Sequence, residues 1–516
     1  MKGITDLLAE ENVTVPKQFG NKLRQYVKNN GTFISEKKNL SAEQRLFKIF
    51  YNSAVPVREK RQKLGHYLKE NGLILRRNIN NPYLLDKNTN GYNSVNIDDI
   101  VEKLDNEIFN NLDLVHSKDV EDAIGFIGVR KKPIYNIVKF NNCLYDMVNF
   151  KVISANDEPV FTLIEVAHNF NPQAKGEKIQ YFLETSLKKP NDESDIDVLK
   201  KGFLEMIGYI LTSGNPLNAF FILSGIGGAG KGLARNLITA IFGTNKVGGL
   251  PLQELTPDNR FATAHLENKQ FNIVFDSPTK SIEDTGMLKA ITGYDDIPVE
   301  PKSKDKYMIP KEEVPDMILV CNNFPKFKKE IEEAVIQRIV LFEFLNQFRG
   351  TDKMNPKLLE EILNNPDEME WLLYNGIKAY EEMITEGKDF TARVDIEKTR
   401  ELLNKHTNPI SFILPRLVKN SVEDTSSEDP IVATELNQLI QYVAKKEGLS
   451  ISNIDAKGRI KAKDLISEIR NLFEFDNEWT SKLASVKGYD NSVTIYPDIY
   501  KTEDYDSLLE EMNKNK

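Results

Sequence analysis

The chain has 516 residues, of which 40% are hydrophobic and 28% charged, with a formal net charge of −9. This composition is typical of a multidomain soluble globular protein, and it excludes a uniformly basic nucleic-acid binder without excluding a basic channel. Two cysteines and five histidines give no disulfide framework and no metal-ligand spacing. No secretory signal or membrane-spanning run is found, so we expect a cytoplasmic protein without a membrane partner.

The first 200 residues predict two regions. Residues 1–95 predict a mainly helical region, because apolar residues recur at helical spacing in "SAEQRLFKIFYNSAVPVREKRQKLGHYLKENG". Residues 96–200 predict an accessory domain with strand-like segments that ends in the polar linker "LKKPNDESDID". A basic cluster in the first region fits either a solvated helix face or a nucleic-acid contact: Arg58, Lys60, Arg61 and Lys63.

Three further regions follow. Residues 201–350 alternate short apolar runs with helical stretches, which predicts an α/β core with a parallel sheet. Residues 351–404 predict a helical lid or collar. Residues 405–516 contain two helical segments and then "NSVTIYPDIY", an order that favours a winged-helix domain. Its basic cluster fits a phosphate contact or a solvated helix start: Lys457, Arg459, Lys461 and Lys463.

An apolar strand, a glycine loop and a helix follow one another in "AFFILSGIGGAGKGLARNLITAIFG". This order is the context in which G-x-x-x-x-G-K binds phosphate and is called a P-loop. Glycines let backbone N–H groups turn towards phosphate oxygens, and the helix adds its amino-terminal partial charge. We predict that Lys231 reaches the terminal phosphates and that the nucleotide-binding residues are Gly225, Gly227, Gly228, Ala229, Gly230, Lys231 and Gly232.

Gly232 stands where such loops carry the Ser or Thr hydroxyl that binds Mg²⁺. Glycine supplies no such ligand, although Mg²⁺ keeps waters readily and a water can take the position. The loop alone therefore leaves both a working and a degenerate ATPase open.

Three later residues lie at the ends of apolar strands. Asp276 ends "QFNIVFD", on a strand that we expect beside the P-loop strand. It is a candidate for holding Mg²⁺ and orienting the attacking water, and the alternative is a solvated aspartate at a strand end. Asn322 ends "DMILVCN" and is a candidate for contacting the γ-phosphate or for a turn before Pro325. Arg338 precedes "IVLFEF" and is a candidate arginine finger or a surface ion pair.

Lys302, Lys304 and Lys306 alternate in "EPKSKDKYMIP", which predicts a β-hairpin. Residues two apart on a strand share a face, so the three ammonium groups would form a row that suits a DNA phosphate backbone. An edge strand blunted by lysines is the alternative.

Together, the segments over about residues 100–400 resemble superfamily 3 helicases of the phage and poxvirus type, which are often fused to primases. "GIGGAGKG" is similar to the family's Walker A motif, "FNIVFD" to its Walker B motif and "LKAITGYDDIPVEPKSK" to its B′ segment and DNA-binding hairpin. "ILVCNNFP" resembles motif C, and "AVIQRIVLFEF" resembles the arginine-finger segment. "NNCLYDMVNFKVI" is similar to the domain that precedes the helicase core.

The resemblance implies an AAA+ core assembled as a hexameric ring, with ATP and Mg²⁺ between subunits. Lys231, Asp276 and Asn322 would come from one subunit and Arg338 from the next, while the lysine hairpins follow one DNA strand in the 3′→5′ direction. The implied partners are single-stranded and forked DNA, with origin duplex as a further candidate. The implied role is replication initiation of a phage, plasmid or satellite-like mobile element.

Two residues depart from the family's pattern. Gly232 removes a direct Mg²⁺ ligand, and Ser277 after Asp276 leaves no second adjacent acid. We expect no primase, because Asp98 and Asp99 in "NIDDI" have no metal-binding partners in the sequence. We predict an ATP-dependent DNA helicase. The alternatives are an ATP-binding DNA scaffold or loader with weak or no hydrolysis, and a metabolic kinase, which would leave Arg338 without a role.

Overall fold

The computed structural model forms two compact units, Met1–Glu165 and Val166–Lys516. Both mix helices and strands, and the second contains a parallel sheet, which confirms the expectation of an α/β protein. The division into five domains stays a prediction. The structure describes residues 41–75, 82–109, 111–126, 131–154, 158–187, 196–256, 259–275, 282, 284–302, 305–322, 324, 331–420, 430–447, 449, 451, 454–486 and 489–515.

The first unit packs helices beside two small sheets. Its α-helices are α1 (Ala42–Tyr51), α2 (Val57–Glu70), α3 (Ile97–Leu104) and α4 (Ser117–Ile124). A π-helical turn, Asp105–Phe109, extends α3. Its strands are β1 (Leu73–Leu75), β2 (Pro82–Asp86), β3 (Gly91–Ser94), β4 (Ile137–Lys139), β5 (Leu144–Asp146), β6 (Lys151–Ile153) and β7 (Ile164–Glu165). Strands β1–β2–β3 form an antiparallel sheet, so the region expected to be mainly helical also contains strands.

Three of the charged residues that the sequence singled out in this unit have structural partners. Arg61 forms ion pairs with Asp119 and Asp122, and the Lys60 ammonium donates to a backbone carbonyl of α1 at 2.8 Å. Asp99 lies in the capping box of α3. These contacts favour a structural role for Arg61 and Asp99.

The second unit is built on a five-stranded parallel sheet. Its strands are β8 (Phe220–Gly225), β9 (Val247–Gly248), β10 (Phe271–Phe275), β13 (Asp316–Cys321) and β14 (Ile339–Phe344). An antiparallel hairpin, β11 (Ile297–Val299) and β12 (Tyr307–Ile309), lies between β10 and β13 in the chain. One face of the sheet packs on a large apolar cluster that includes Phe220, Met317 and Leu319.

The strand order in this sheet is β14-β8-β13-β10-β9. The P-loop strand β8 is therefore interior, with β13 on one side and β14 on the other. The expectation that the strand before Asp276 lies beside the P-loop strand is wrong, because β13 pairs with both β8 and β10 and separates them. Short apolar runs predict buried strands but carry no information about their lateral order.

Helices surround the sheet and continue into a carboxy-terminal module. They are α5 (Glu177–Leu187), α6 (Ile196–Tyr209), α7 (Lys231–Phe242), α8 (Gly286–Ile291), α9 (Glu333–Ile336), α10 (Leu358–Leu363), α11 (Pro366–Thr385) and α12 (Ile396–Thr407). Helices α6 and α11 cross closely at Gly208 and Gly376. A Cβ on Gly208 would lie 2.2 Å from the Gly376 carbonyl oxygen, so only glycine permits this approach.

The carboxy-terminal module has its own apolar core around Leu436, Ile440 and Leu465. Its helices are α13 (Pro409–Leu417), α14 (Ala433–Lys446), α15 (Ala462–Phe473) and α16 (Glu503–Lys514). Its strands are β15 (Val418–Lys419), β16 (Ile431–Val432), β17 (Lys482–Ala484), β18 (Val493–Tyr496) and β19 (Tyr500–Lys501). An antiparallel sheet of order β16-β18-β17 packs beside helix α14. Strands β17 and β18 follow the two helices α14 and α15 as expected, whereas β16 precedes both helices, and the winged-helix assignment stays a prediction.

Candidate nucleotide-binding site

The P-loop joins the carboxyl end of β8 to the start of α7. Gly230, at φ 101°, is the residue before α7, and no side chain caps this helix, so its first N–H groups face the loop. The Lys231 side chain is only 7% exposed, and its ammonium donates to the carbonyl oxygens of Gly225 and Ile226, both at 2.7 Å. The Lys231 side chain thus lies folded over the loop in which it is expected to bind phosphate.

The loop is braced by the segment that follows β14. Ile226 N–H donates to the Phe344 carbonyl at 3.2 Å, and Phe348 N–H donates to the Gly228 carbonyl at 3.0 Å. Gly228 has φ +82°, and a Cβ there would lie 2.5 Å from the Arg349 Cβ. A side chain at Gly228 would therefore displace the brace, which explains a glycine at this position.

The loop has two positions that border open space. A Cβ built on Gly227 or on Gly232 has no described atom within 4 Å, so both positions border open space. A helix amino terminus, a glycine loop and a lysine ammonium are together suited to phosphate oxygens. The described part of this loop supplies no side-chain oxygen for Mg²⁺, because Gly232 has none.

Two other predicted site residues directly follow strands of the sheet at their carboxyl ends, the end at which β8 leads into the P-loop. Asn322 directly follows β13 and is half-buried, on the edge where β8 enters the P-loop. Asp276 directly follows β10 in the sequence but lies outside the described residues, as does Ser277. Parallel strands end at a common edge, and ligands bind there in open α/β sheets.

A buried polar network lies directly beneath the loop. The Ser224 hydroxyl is 3.2 Å from His406 Nδ1, and His406 Nε2 is 2.8 Å from Glu343 Oε1. These three residues come from β8, α12 and β14, and all are buried. The network ties the last turn of α12, which leads into the carboxy-terminal module, to the strand that carries the P-loop.

Arg338 lies at the amino-terminal ends of the strands, opposite to the end that carries the P-loop. It precedes β14, whose six residues run parallel to β8, so about 20 Å separates it from the P-loop edge. Its guanidinium is half-buried and donates to the Lys289 carbonyl and to the Thr292 hydroxyl, the latter at 2.9 Å. Burial lowers the pKa of Arg338, and Asp295 opposes that shift. Arg338 cannot reach the P-loop of its own chain.

The β11–β12 hairpin confirms the hairpin prediction, but its lysines do not lie on a strand. The strands end at Val299 and begin again at Tyr307, so Lys302 and Lys306 belong to the connecting loop, and Lys304 lies outside the described residues. Strand periodicity therefore does not place them in one row. Lys302 and Lys306 are exposed, and Lys306 forms an ion pair with Glu300 at 2.9 Å.

The basic cluster of the carboxy-terminal module is partly paired. The Arg459 guanidinium donates two hydrogen bonds to Asp455, at 3.0 and 2.8 Å. Hydrogen bonds to the Asp455 carboxylate, of which the one from the Arg459 backbone N–H has the largest effect, lower its pKa to about 2. Lys457, Lys461 and Lys463 are exposed beside it, at the start of α15.

Several residues near the P-loop were not found from the sequence. The acid of Glu343 within the apolar run "IVLFEF" was a usable signal, because a buried carboxylate requires a partner. His406, Gln347 and Arg349 gave no such signal, since their proximity to the loop follows only from the fold.

Two negative findings apply to the described ranges alone. They contain no group of three or more His, Cys, Asp or Glu side chains placed to hold a metal ion. Within the same ranges, none of the helices combines the length and the apolar character that crossing a bilayer requires.

Comparisons with known proteins give one family match and several solved structures with limited similarity. A family model described as "Family of unknown function (DUF5906)" matches residues 223–338, from β8 to Arg338. No curated protein sequence matches the chain. Similar solved structures include the A form apo structure of the NrS-1 C-terminal region, at 13% identity and a TM-score of 0.41, covering 84% of this chain and 98% of that chain. The apo structure of NrS-1 residues 305–718 is also similar, at 13% identity and a TM-score of 0.38, covering 84% and 99%.

Proposed function

We propose that this protein is an ATP-dependent DNA helicase with an AAA+ core of the superfamily 3 type. The observation that carries the proposal is the P-loop, where Lys231 begins a helix at the carboxyl end of an interior parallel strand and lies over a glycine loop open to a ligand. The sequence motifs add support, because the segments that resemble Walker A, Walker B, the hairpin, motif C and the arginine-finger segment follow one another in the family's order. We further propose a hexamer that moves 3′→5′ and acts in replication initiation of a bacterial mobile element.

The residues of the P-loop edge would divide the work of binding and hydrolysis. Lys231 would exchange its two carbonyl partners for oxygens of the β- and γ-phosphates. Asn322 would position the attacking water, and Asp276 would hold the metal ion and orient that water. ATP would supply the phosphoanhydride bond, and Mg²⁺ would neutralise the charge that develops as that bond breaks. With no second acid beside it, Asp276 carries the water-activating role in this proposal.

Arg338 would act on a neighbouring subunit. The length of β14 keeps it from its own P-loop, so any contact with a nucleotide is made in trans. To reach out, its guanidinium must leave the Lys289 carbonyl and the Thr292 hydroxyl. An arginine finger that leaves internal partners in this way would couple hydrolysis to a movement of α8.

DNA would be gripped by the hairpin loop. Lys302, Lys304 and Lys306 would contact phosphates, which carry no sequence information and therefore suit movement along any strand. Lys306 would exchange its ion pair with Glu300 for a phosphate. The carboxy-terminal module, which we propose to be a winged-helix domain, would contact origin duplex through the exposed lysines at the start of α15.

A second candidate is favoured by one observation, the glycine at position 232. Without a direct hydroxyl ligand, the protein would bind ATP and serve as a DNA scaffold or loader with weak or no hydrolysis. Nucleotide would then act as a structural ligand that controls assembly. DNA-dependent ATP turnover separates the two candidates.

The test is unwinding of a forked duplex with ATP and Mg²⁺ by the parent, by Lys231→Ala and by Lys132→Ala, an exposed lysine of the first unit. We expect strand separation by the parent and Lys132→Ala but not by Lys231→Ala. DNA binding without unwinding by any of the three would refute the helicase and favour the scaffold. Absence of ATP binding by the parent would refute both.

A further inference from the structure

Helix α12 holds the P-loop sheet through two consecutive residues of its last turn. His406 Nε2 is 2.8 Å from Glu343 Oε1, and the Lys405 ammonium lies 3.6 Å from the same oxygen. The Lys405 and Glu343 side chains are only 15% and 10% exposed, so their ion pair is largely shielded from water and is harder to separate than a surface pair. We call Glu343, Lys405 and His406 the α12 clasp.

On the side of the sheet, the α12 clasp lies close to the P-loop. Glu343 pairs in register with Ser224, whose hydroxyl is 3.2 Å from His406 Nδ1. Ser224 directly precedes Gly225, and the Gly225 carbonyl accepts a hydrogen bond from the Lys231 ammonium. The clasp therefore holds the strand end at which Lys231 must give up a carbonyl partner when it binds phosphate.

On the other side, the α12 clasp continues into the carboxy-terminal module. Helix α12 ends at Thr407, and Asn408 caps the start of α13, where its side chain accepts from Ser411 N–H at 3.3 Å. The Lys405 ammonium also lies 6.0 Å from the centroid of the Phe412 ring, which packs against the module's apolar core. Because one residue separates the two helices, a movement of the last turn of α12 is passed to α13.

The contacts of Ser224, His406 and Glu343 do not form a hydrolytic triad, although the residue types are the same. Ser224 is 1% exposed, so no substrate reaches its hydroxyl. Nor does folding alone require Glu343 in the apolar run "IVLFEF", because replacing a buried ion pair by apolar side chains is often neutral or stabilising. A role in transmitting movement gives a reason for this buried carboxylate.

We propose that the α12 clasp couples nucleotide binding at the P-loop to the position of the carboxy-terminal module. The inference rests on the proposed nucleotide site and adds a route by which the module responds to it. When Lys231 turns from the Gly225 carbonyl to a phosphate, the end of β8 is free to shift. Glu343 passes that shift to α12 through its contacts with Lys405 and His406, since coupling travels through chains of packed and hydrogen-bonded side chains. The three residues of the clasp are thus positioning residues.

The test is hydrogen exchange of backbone amides, measured by mass spectrometry with and without the non-hydrolysable analogue AMP-PNP and Mg²⁺. Amides of α7 report on the nucleotide site, and amides of α13 report on the module. Lys405→Met removes the ammonium but keeps an unbranched apolar chain beside Phe412, and Lys405→Arg keeps a cation. The matched control is Lys398→Met on the same helix, whose exposed ion pair with Glu401 lies outside the clasp. Thermal unfolding establishes that each variant is folded.

In the parent, AMP-PNP should slow exchange in α7 and should change exchange in α13 by about fivefold, the lower end of typical coupling between two sites. Lys398→Met and Lys405→Arg should keep both responses. Lys405→Met should keep the α7 response and lose most of the α13 response. Glu343→Gln, which weakens both contacts of the clasp, should behave in the same way and gives the comparison a second variant.

A parental α13 response in folded Lys405→Met or Glu343→Gln would overturn the coupling and leave the proposed nucleotide site standing. A parent in which α7 responds and α13 does not would have the same meaning. Lys231→Ala should lose the responses of both helices, because phosphate binding causes them. A parent in which neither helix responds would overturn the coupling together with the proposed function.

Discussion

Replacing Gly232 by alanine and by serine separates its conformational role from its chemistry. Gly232 is the second residue of α7, its φ lies outside the left-handed region, and a Cβ there has no described atom within 4 Å. Alanine is favoured over glycine by about 1 kcal/mol inside a helix and by less in the first turn. Glycine also loses more backbone entropy on folding, an effect of about 0.4–1 kcal/mol.

Gly232→Ala should therefore stabilise the second unit by roughly 0.5–1 kcal/mol, which raises its unfolding midpoint by about 1–3 °C. Differential scanning calorimetry without nucleotide measures this shift. Gly232→Ser should stabilise slightly less, because serine has a lower helix propensity than alanine. A lower unfolding midpoint for Gly232→Ala would show that the position lacks the open space and the helical backbone conformation that the structure gives it.

The hydroxyl is then tested by the Mg²⁺ dependence of ATP turnover. Gly232→Ser restores the oxygen that P-loops usually supply and should lower the Mg²⁺ concentration needed for half-maximal turnover. Gly232→Ala adds the Cβ without the oxygen and should keep the parental requirement. An equal Mg²⁺ requirement for the two variants would refute the view that a water stands in for this ligand.

Three further predictions concern buried or close-packed groups. Asp316 is fully buried with neither carboxylate oxygen hydrogen-bonded within the described structure, and burial raises its pKa well above the usual value. The stability that the neutral Asp316 carboxyl contributes is therefore fully present below pH ~4 and is lost as the pH rises towards the raised pKa. In urea unfolding from pH 5 to 8, the free energy of unfolding of Asp316→Asn should decline less steeply than that of the parent, and an equal slope would contradict this. Gly208→Ala would bring a Cβ within 2.2 Å of the Gly376 carbonyl oxygen and should destabilise by about 1–3 kcal/mol. Gly376→Ala should cost less, because the nearest atom to its Cβ is the Ile207 Cγ2 at 2.7 Å, and the reverse order of urea midpoints would count against the crossing. Arg338→Ala should keep ATP binding but lose most turnover in the assembled protein, and loss of ATP binding itself would argue against action in trans.

The P-loop could be predicted from sequence because its chemistry is local. The strand, loop and helix are contiguous, so the spacing of the glycines and Lys231 sets their geometry without long-range information. The positions of β8, β10, β13 and β14 were also predicted, since each is a short apolar run between polar residues.

Lateral relationships could not be predicted in this way. The insertion of β13 between β8 and β10 depends on tertiary pairing, which leaves no periodic pattern in the sequence. The contacts of His406 with Ser224 and Glu343 join residues up to 182 positions apart, so only the fold reveals them.

Two features that the sequence analysis did not predict, the β2–β3 hairpin and the loop that carries Lys302 and Lys306, do have local signals in the sequence. The β2–β3 hairpin has the turn residues "DKNTNG", and Asn90 adopts φ 57° there, as asparagine commonly does in turns. The helical spacing of the preceding segment dominated the prediction for residues 1–95. The lysine row at 302–306 was assigned to a strand from alternation alone, although Pro301 and the polar sequence favour a loop.

If Arg338 acts on the P-loop of a neighbouring copy, its separation from its own P-loop by the length of β14 bears on how copies of the chain associate. A two-fold dimer that sets the Arg338 end of each copy against the P-loop end of the other would complete two such sites and close on itself. A head-to-tail contact would complete one site at each interface and would repeat around a ring or along a filament. In a head-to-tail ring every copy would face the same way, so the ring would have two different ends, and a strand passing through it would meet the hairpins in a fixed order.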